Sequence, residues 1–324
     1  MYGDIQVKNN TSDDVYLKPN KTIDITHPLT SGPNSIGIHM EAYRGVFTSG
    51  YASSGTEVIP FFPCGTINQV SIANNECRLE ISYYECSWDE SNDSVIHTIR
   101  TVPASQSIKN LCNQADFPSE GRMDGNTYWF VVQGSVDLTN QGVACAGSNV
   151  HLILCDNSSF KINSIDVREG TTLHIYSQSY GGKMGKLESN TTEPSMPGIG
   201  AREGHTGNII IHGGNITAKG ATYGAGIGGR EDKSSKNITI WDGKIEATGG
   251  ENAAGIGGGE RGSSDGTILI YGGEIKATGG SWWLREAHLD VMPSGTAKIE
   301  AMLVRYSSTN WQRCRQVLMK RATP

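Results

Sequence analysis

Apolar and polar residues alternate in short runs along most of the chain, the pattern of strands with one buried face. Within 1–120, Gln69-Val-Ser-Ile-Ala and Arg78-Leu-Glu-Ile-Ser alternate between stretches rich in Pro, Asn, Asp and Gly. That predicts an irregular all-β region with many loops. Strand signal thickens over 121–190, in Tyr128-Trp-Phe-Val-Val, Val150-His-Leu-Ile-Leu-Cys, Phe160-Lys-Ile, Ile165-Asp-Val and Thr172-Leu-His-Ile-Tyr-Ser. Residues 198–280 then repeat, and 281–324 change character again.

Three landmarks keep the same pace through the repeat. Gly-Ile-Gly recurs at Gly198, Gly226 and Gly255, at spacings of 28 and 29. Asn208-Ile-Ile-Ile-His-Gly-Gly, Asn237-Ile-Thr-Ile-Trp-Asp-Gly and Thr267-Ile-Leu-Ile-Tyr-Gly-Gly start 29 and 30 residues apart. Asn215-Ile-Thr-Ala-Lys, Lys244-Ile-Glu-Ala-Thr and Glu274-Ile-Lys-Ala-Thr follow in step. Each unit is therefore two short strands, a Gly corner between them and a Gly-rich return.

Alternation assigns the faces. Ile209/Ile211, Ile238/Ile240 and Ile268/Ile270 point inward, as do Ile216/Ala218, Ile245/Ala247 and Ile275/Ala277. Ile199, Ile227 and Ile256 supply a third inward column. One unit holds too few apolar groups to bury a core by itself, whereas stacked units place like residues about 4.8 Å apart in a continuous core. Stacking also sets Lys244 beside Glu274 and Glu246 beside Lys276, opposite charges on adjacent coils. The predicted fold is all-β, a right-handed parallel β-helix over 121–280. An alternative is a stack of two-residue hairpins, since Gly-Gly and Asp-Gly are hairpin turn signals. The third Gly-Ile-Gly column favours the three-sided coil.

The repeats resemble the Gly-Ile-Gly-Gly arrays of large bacterial cell-surface proteins of carbohydrate-binding β-helix type. The resemblance covers roughly 120–280. Tyr128-Trp-Phe-Val-Val, Val150-His-Leu-Ile-Leu-Cys-Asp, Ile165-Asp-Val and Thr172-Leu-His-Ile-Tyr-Ser-Gln-Ser resemble the first, less Gly-rich coils of such arrays. Val15-Tyr-Leu-Lys-Pro-Asn-Lys-Thr-Ile-Asp-Ile-Thr through Tyr51 resembles segments that close a preceding array. The resemblance implies an extracellular or surface-displayed module with a structural or adhesive role, a piece of a larger protein, with a polysaccharide or cell-surface glycan as partner.

The tail departs from the pattern. Another Gly-Ile-Gly is due near residue 284, and Ser-Trp-Trp-Leu-Arg-Glu-Ala-His-Leu stands there instead. Residues 281–324 hold one Gly, three of the six Trp, and seven basic against three acidic residues. They read as an atypical end: a helical cap over the open stack, or an out-of-frame or truncated terminus.

Composition narrows function chiefly by exclusion. A net charge of −6 makes no electrostatic case for nucleic acid or an anionic membrane. No apolar run reaches the roughly 20 residues of a spanning helix, and the first residues carry no export signal. Of the 41 Gly, 24 fall within 198–280, which predicts many tight corners in one region. The seven cysteines form no Cys-x-x-Cys pair and no zinc-finger spacing, so scattered reduced thiols are expected and no metal or cofactor is implied. A monomer is expected.

The candidate chemistry is an outward column. Tyr176, His212, Trp241 and Tyr271 each follow an inward pair, so stacking in register would form a ladder of planar rings. Sugar rings stack on such platforms through their C–H faces while nearby polar groups take the hydroxyls. Cross-strand packing alone explains the same ladder. Asp156, Asp166, Asp232, Asp242 and Asp265 occupy different places in their units, so no paired carboxylates for glycoside hydrolysis and no repeated Ca²⁺ site can be argued. No catalytic residue is assigned. A β-helix polysaccharide lyase or hydrolase stays the enzymatic alternative, and a passive spacer the inert one. Arg202-Glu203, Arg230-Glu231 and Glu260-Arg261 form a turn column expected to make solvated ion pairs between coils.

Overall fold

A computed structural model describes residues 15–18, 20–24, 38–40, 44–50, 68–73, 76–111, 125–145, 149–262, 266–280, 289–291 and 298–302. The chain divides into two compact units: Met1–Tyr83 with Ile99–Pro103, and Tyr84–Thr98 with Ala104–Pro324.

In the first unit two short strands pair in parallel with later ones, Val15–Leu17 with Ile38–Met40 and Ile23–Asp24 with Thr48–Ser49. Asn68–Ala73 and Gly45–Val46 then pair antiparallel with the strand Glu76–Asp89. Phe47, Cys77, Leu79 and Ile81 are buried there.

The second unit is a parallel β-helix. One side is an eight-stranded sheet that includes Thr127–Val132, Asn149–Leu154, Thr172–Ser177, Asn208–Ile211, Ile238–Ile240 and Ile268–Ile270. The other two sides share a ten-stranded sheet. Its early strands, Ser135–Cys145 and Ser159–Val167, run the length of both sides. From the next coil on, these sides separate: Ser159–Val167 pairs through its first half with Lys186–Asn190 and through its second half with Ile199–Gly200. The split coincides with an insertion: Ile162 and Ile165 are three residues apart, whereas their partners Ser189 and Ile199 are ten apart, so a loop that includes Pro194 and Pro197 stands between the two halves.

Register follows the repeat. Ile209, Ile238 and Ile268 align in parallel, as do Ile211, Ile240 and Ile270. Ile216, Ile245 and Ile275 form a second column, and Ile199, Ile227 and Ile256 a third. All twelve isoleucines belong to one buried cluster. Parallel pairing removes the hairpin alternative, in which 209–212 would pair antiparallel with 215–218. The glycines of the return are dictated by closeness. Gly228 has φ +136°, and a Cβ built on it would land on the Gly257 carbonyl of the next coil.

The boundaries differ from the composition-based ones. Residues 84–98 and the strand Ile108–Asn110 lie within the predicted 1–120 region yet belong to the β-helix unit. At the other end, Leu289–Val291 pairs in parallel with Ile268–Ile270, and Lys298–Met302 with Glu274–Thr278. Part of the tail is thus one more coil, not a helical cap. Lys298-Ile-Glu-Ala repeats the Lys244-Ile-Glu-Ala landmark, but after 24 residues from Glu274 instead of 30, and with no Gly-Ile-Gly beforehand. Residues 303–324 lie outside the described residues.

Candidate functional site

The outward positions of the eight-stranded sheet carry a spine of aromatic rings. Parallel register puts like positions of successive coils side by side, so Tyr176, His212, Trp241 and Tyr271 stack as the alternation predicted. Ring centroids are 4.6 Å apart for Tyr176–His212, 6.5 Å for His212–Trp241 and 4.1 Å for Trp241–Tyr271. All three pairs lie within 13° of parallel.

A second column, two positions earlier on each strand, escaped the sequence reading. Trp129 pairs with His151 and His151 with His174 in the strand register, and their rings stack at 3.9 and 4.6 Å. The signal was present: Val150-His-Leu and Leu173-His-Ile place histidine at one outward position of consecutive coils. The columns meet where His151 Nδ1 lies 3.0 Å from the Tyr176 hydroxyl.

The spine is not an open platform. The hairpin Tyr84–Thr98, formed by the end of Glu76–Asp89, the turn 90–93 and the start of Ser94–Thr101, lies along it. The Cys86 backbone N–H donates to His212 Nδ1 at 3.0 Å, and the Cys86 thiol donates to the His212 carbonyl at 3.0 Å. His97 Nε2 sits 2.6 Å from Asp242 Oδ2. Trp88 tilts against Tyr271 at 5.4 Å. In consequence Tyr176 is 2% exposed and His212 6%, while Trp241 and Tyr271 are half-buried. Of the four predicted sugar-binding residues, Tyr176 and His212 are sealed and only Trp241 and Tyr271 keep part of a surface. The sugar platform is corrected: stacking turns the ring faces toward one another, and the outward edges of Tyr176 and His212 are covered by a further strand pair.

Burial sets the electrostatics. Desolvation holds the His151 and His212 imidazoles down to about 3 and lowers His174, neighbouring imidazoles adding to the effect at His151 and His212. The folded pKa is depressed below the ordinary 6.5. The stability these neutral rings contribute is therefore complete above about pH 6.5 and is lost as the pH falls from there toward 3. Nδ1 of His212 accepts a backbone N–H, so its proton sits on Nε2 at neutral pH. The Cys86 thiol is pushed up to about 12, first by burial and then by Asp242 and Glu85. It is a packed thiol, not a nucleophile.

The opposite face is plain by comparison. Lys276 Nζ meets Glu246 at 2.6 Å and Lys244 meets Glu274 at 3.7 Å, the charge pairs read from the repeat. In the turn column Arg261 reaches Glu231 and Asp232 on the preceding coil, and Arg230 donates to the Arg202 carbonyl. Asp166 is buried under Arg168 and the Arg202 N–H, Asp156 accepts from Ser179, and Asp242 is taken by His97. Asp265 lies outside the described residues. Cys77, Cys86, Cys145 and Cys155 are free and buried. Among the described residues, no three His, Cys, Asp or Glu side chains converge to hold a metal ion, and no helix is long and apolar enough to cross a membrane.

Fold and spine define a β-helix repeat region. The Beta helix repeat family matches the chain at 209–229, 238–260 and 268–287, one match for each Gly-rich coil. No curated protein and no solved structure matches it.

Proposed function

We propose that the chain is a structural module of a cell-surface or extracellular protein, a stiff β-helix that spaces and presents its neighbours. The observation that carries this reading is the sealing of this part of the spine: Tyr176 and His212 are buried, with Cys86 bonded to His212, so a sugar has no access to either ring. Rings stacked within 13° along successive coils stiffen a repeat whose units are otherwise joined by short strands. The test is Trp241→Ala in the intact chain, scored by melting temperature and by pull-down on insoluble polysaccharides at neutral pH. The spacer role predicts a lower melting temperature and no glycan retained by either protein. Retention by the parent that Trp241→Ala abolishes, with melting unchanged, overturns it. Surface placement is checked by protease accessibility on intact cells of the source.

A second reading is a narrow glycan contact. Trp241, Tyr271 and Trp88 are each half-buried and mutually packed, so they offer ring edges and part of a face at one end of the spine. The same pull-down decides between the two.

A further inference from the structure

The cover over the spine is thin. Of residues 84–98 only Cys86 is fully buried, and the turn 90–93 is exposed. Its contacts with the spine include the two Cys86 bonds to His212, the His97–Asp242 pair, the tilted Trp88–Tyr271 contact and the Glu85 carboxylate near His174. At its other side Tyr84 and His97 lean on Tyr180, itself 56% exposed. The rings beneath are held differently, each by its own strand in the sheet. The cover and the ring stack thus rest on separate sets of contacts.

We propose that Tyr84–Thr98 is an acid-released strap: it seals the imidazole-rich part of the spine at neutral pH and lets go when His212 takes a proton, uncovering the outer edges of Tyr176 and His212. The geometry supplies the trigger. His212 Nδ1 is an acceptor for the Cys86 N–H. Protonation turns that nitrogen into a donor, and two N–H groups then face each other in a buried contact. His174 stacks 6.0 Å from His212, and His151 lies 4.6 Å from His174, so a proton on one ring opposes a proton on the next while the strap keeps water out. Lifting the strap returns His212 to water, where it charges readily.

The other groups around His212 do not reverse this. Tyr176 and Trp241 flank it on the spine and stay neutral. From the strap, Glu85 favours charge on His174, and the Cys86 thiol stays protonated. The His97–Asp242 contact, at 2.6 Å, opposes release. Magnitudes decide between them. A partly exposed ion pair shifts an equilibrium by roughly fivefold or less. One imidazole moved from the sealed site to water shifts it by a factor of about 30 at pH 5, the distance from an ordinary pKa of 6.5. Release of His212 alone outweighs the latch.

Cysteine labelling tests this with controls inside the molecule. A pyridyl disulfide, which reacts with thiols in acid as well as at neutrality, is applied to the full chain at pH 7.5 and pH 5, and the labelled cysteines are mapped by mass spectrometry. Cys86 is expected to react at least about fivefold faster at pH 5, after normalising to a small free thiol. Cys145 and Cys155, fully buried in the coil core, stay protected at both. Asp242→Asn, which removes the latch, is expected to raise Cys86 labelling at both pH values and keep the step. His212→Phe keeps a ring in the stack but nothing to protonate, and should flatten the step. Equal Cys86 rates at the two pH values overturn the proposal. So does joint labelling of Cys86, Cys145 and Cys155, which signals global unfolding. A step that survives in His212→Phe overturns it as well. The wild-type result stands alone if that variant does not fold.

Discussion

Two outward faces of the same coils met opposite fates. On the sheet that carries 215–219, 244–248 and 274–278, the outward residues are Lys, Glu, Asn and Thr, and every Lys and Glu among them is exposed. On the sheet that carries 208–211, 238–240 and 268–270, the position after each inward pair is a ring, and that face is covered. The inward columns are apolar on both sheets, two of isoleucine on one and one each of isoleucine and alanine on the other. The core thus sets the coil, and the outward residues alone decide whether a face stays open. Charges hold water and give little back when paired. Stacked rings present apolar surface, and water is displaced from it by whatever segment the chain can bring there.

The contrast can be broken at several points. Ile240 lies beneath the ring face between Ile211 and Ile270. Ile240→Ala is expected to cost about 2–5 kcal/mol in denaturant melts, since neither neighbour can collapse into the space. A loss under about 1 kcal/mol would mean the column is not packed as described. Gly228→Ala, on the side shared by neither face, forces a side chain onto the Gly257 carbonyl at a positive φ. It is expected to cost about 1–3 kcal/mol, with Gly182→Ala, which meets nothing within 4 Å, as the near-neutral comparison.

Within the ring face, Trp241→Ala removes stacking on both His212 and Tyr271. At about 0.5–1.5 kcal/mol for each aromatic pair, a loss of roughly 1–3 kcal/mol is expected in thermal melts. On the charged face, Lys276→Glu is expected to cost no more than about 1 kcal/mol, and the swap Lys276→Glu with Glu246→Lys to recover most of it. Raised salt should shrink that already small effect and leave the Trp241 effect in place. If the ion-pair swap cost as much as the ring, the two faces would not differ in the way described.

Much of the coil was legible in the sequence because its information is local and repeated. Ile209, Ile238 and Ile268 announce one column three times, and Lys244 with Glu274 announces a cross-coil pair. The final coil was also written there, in Lys298-Ile-Glu-Ala, but the shortened spacing and the missing Gly-Ile-Gly hid it. Trp129, His151 and His174 were missed for a different reason. They precede the Gly-rich coils, where the strands still alternate but no landmark marks the pace.

The period, the inward columns, the ring ladder and the charge ladder follow from residue order alone, because each depends only on side-chain alternation and on coils of nearly equal length stacking about 4.8 Å apart. That the ladder is closed over Tyr176 and His212 is a long-range outcome. The bond from Cys86 to His212 joins residues 126 apart in the chain, and nothing in the alternation around Cys86 says which surface its strand will meet. A strand's partner is chosen by what other apolar surface is left uncovered, and that is known only once the coils have formed.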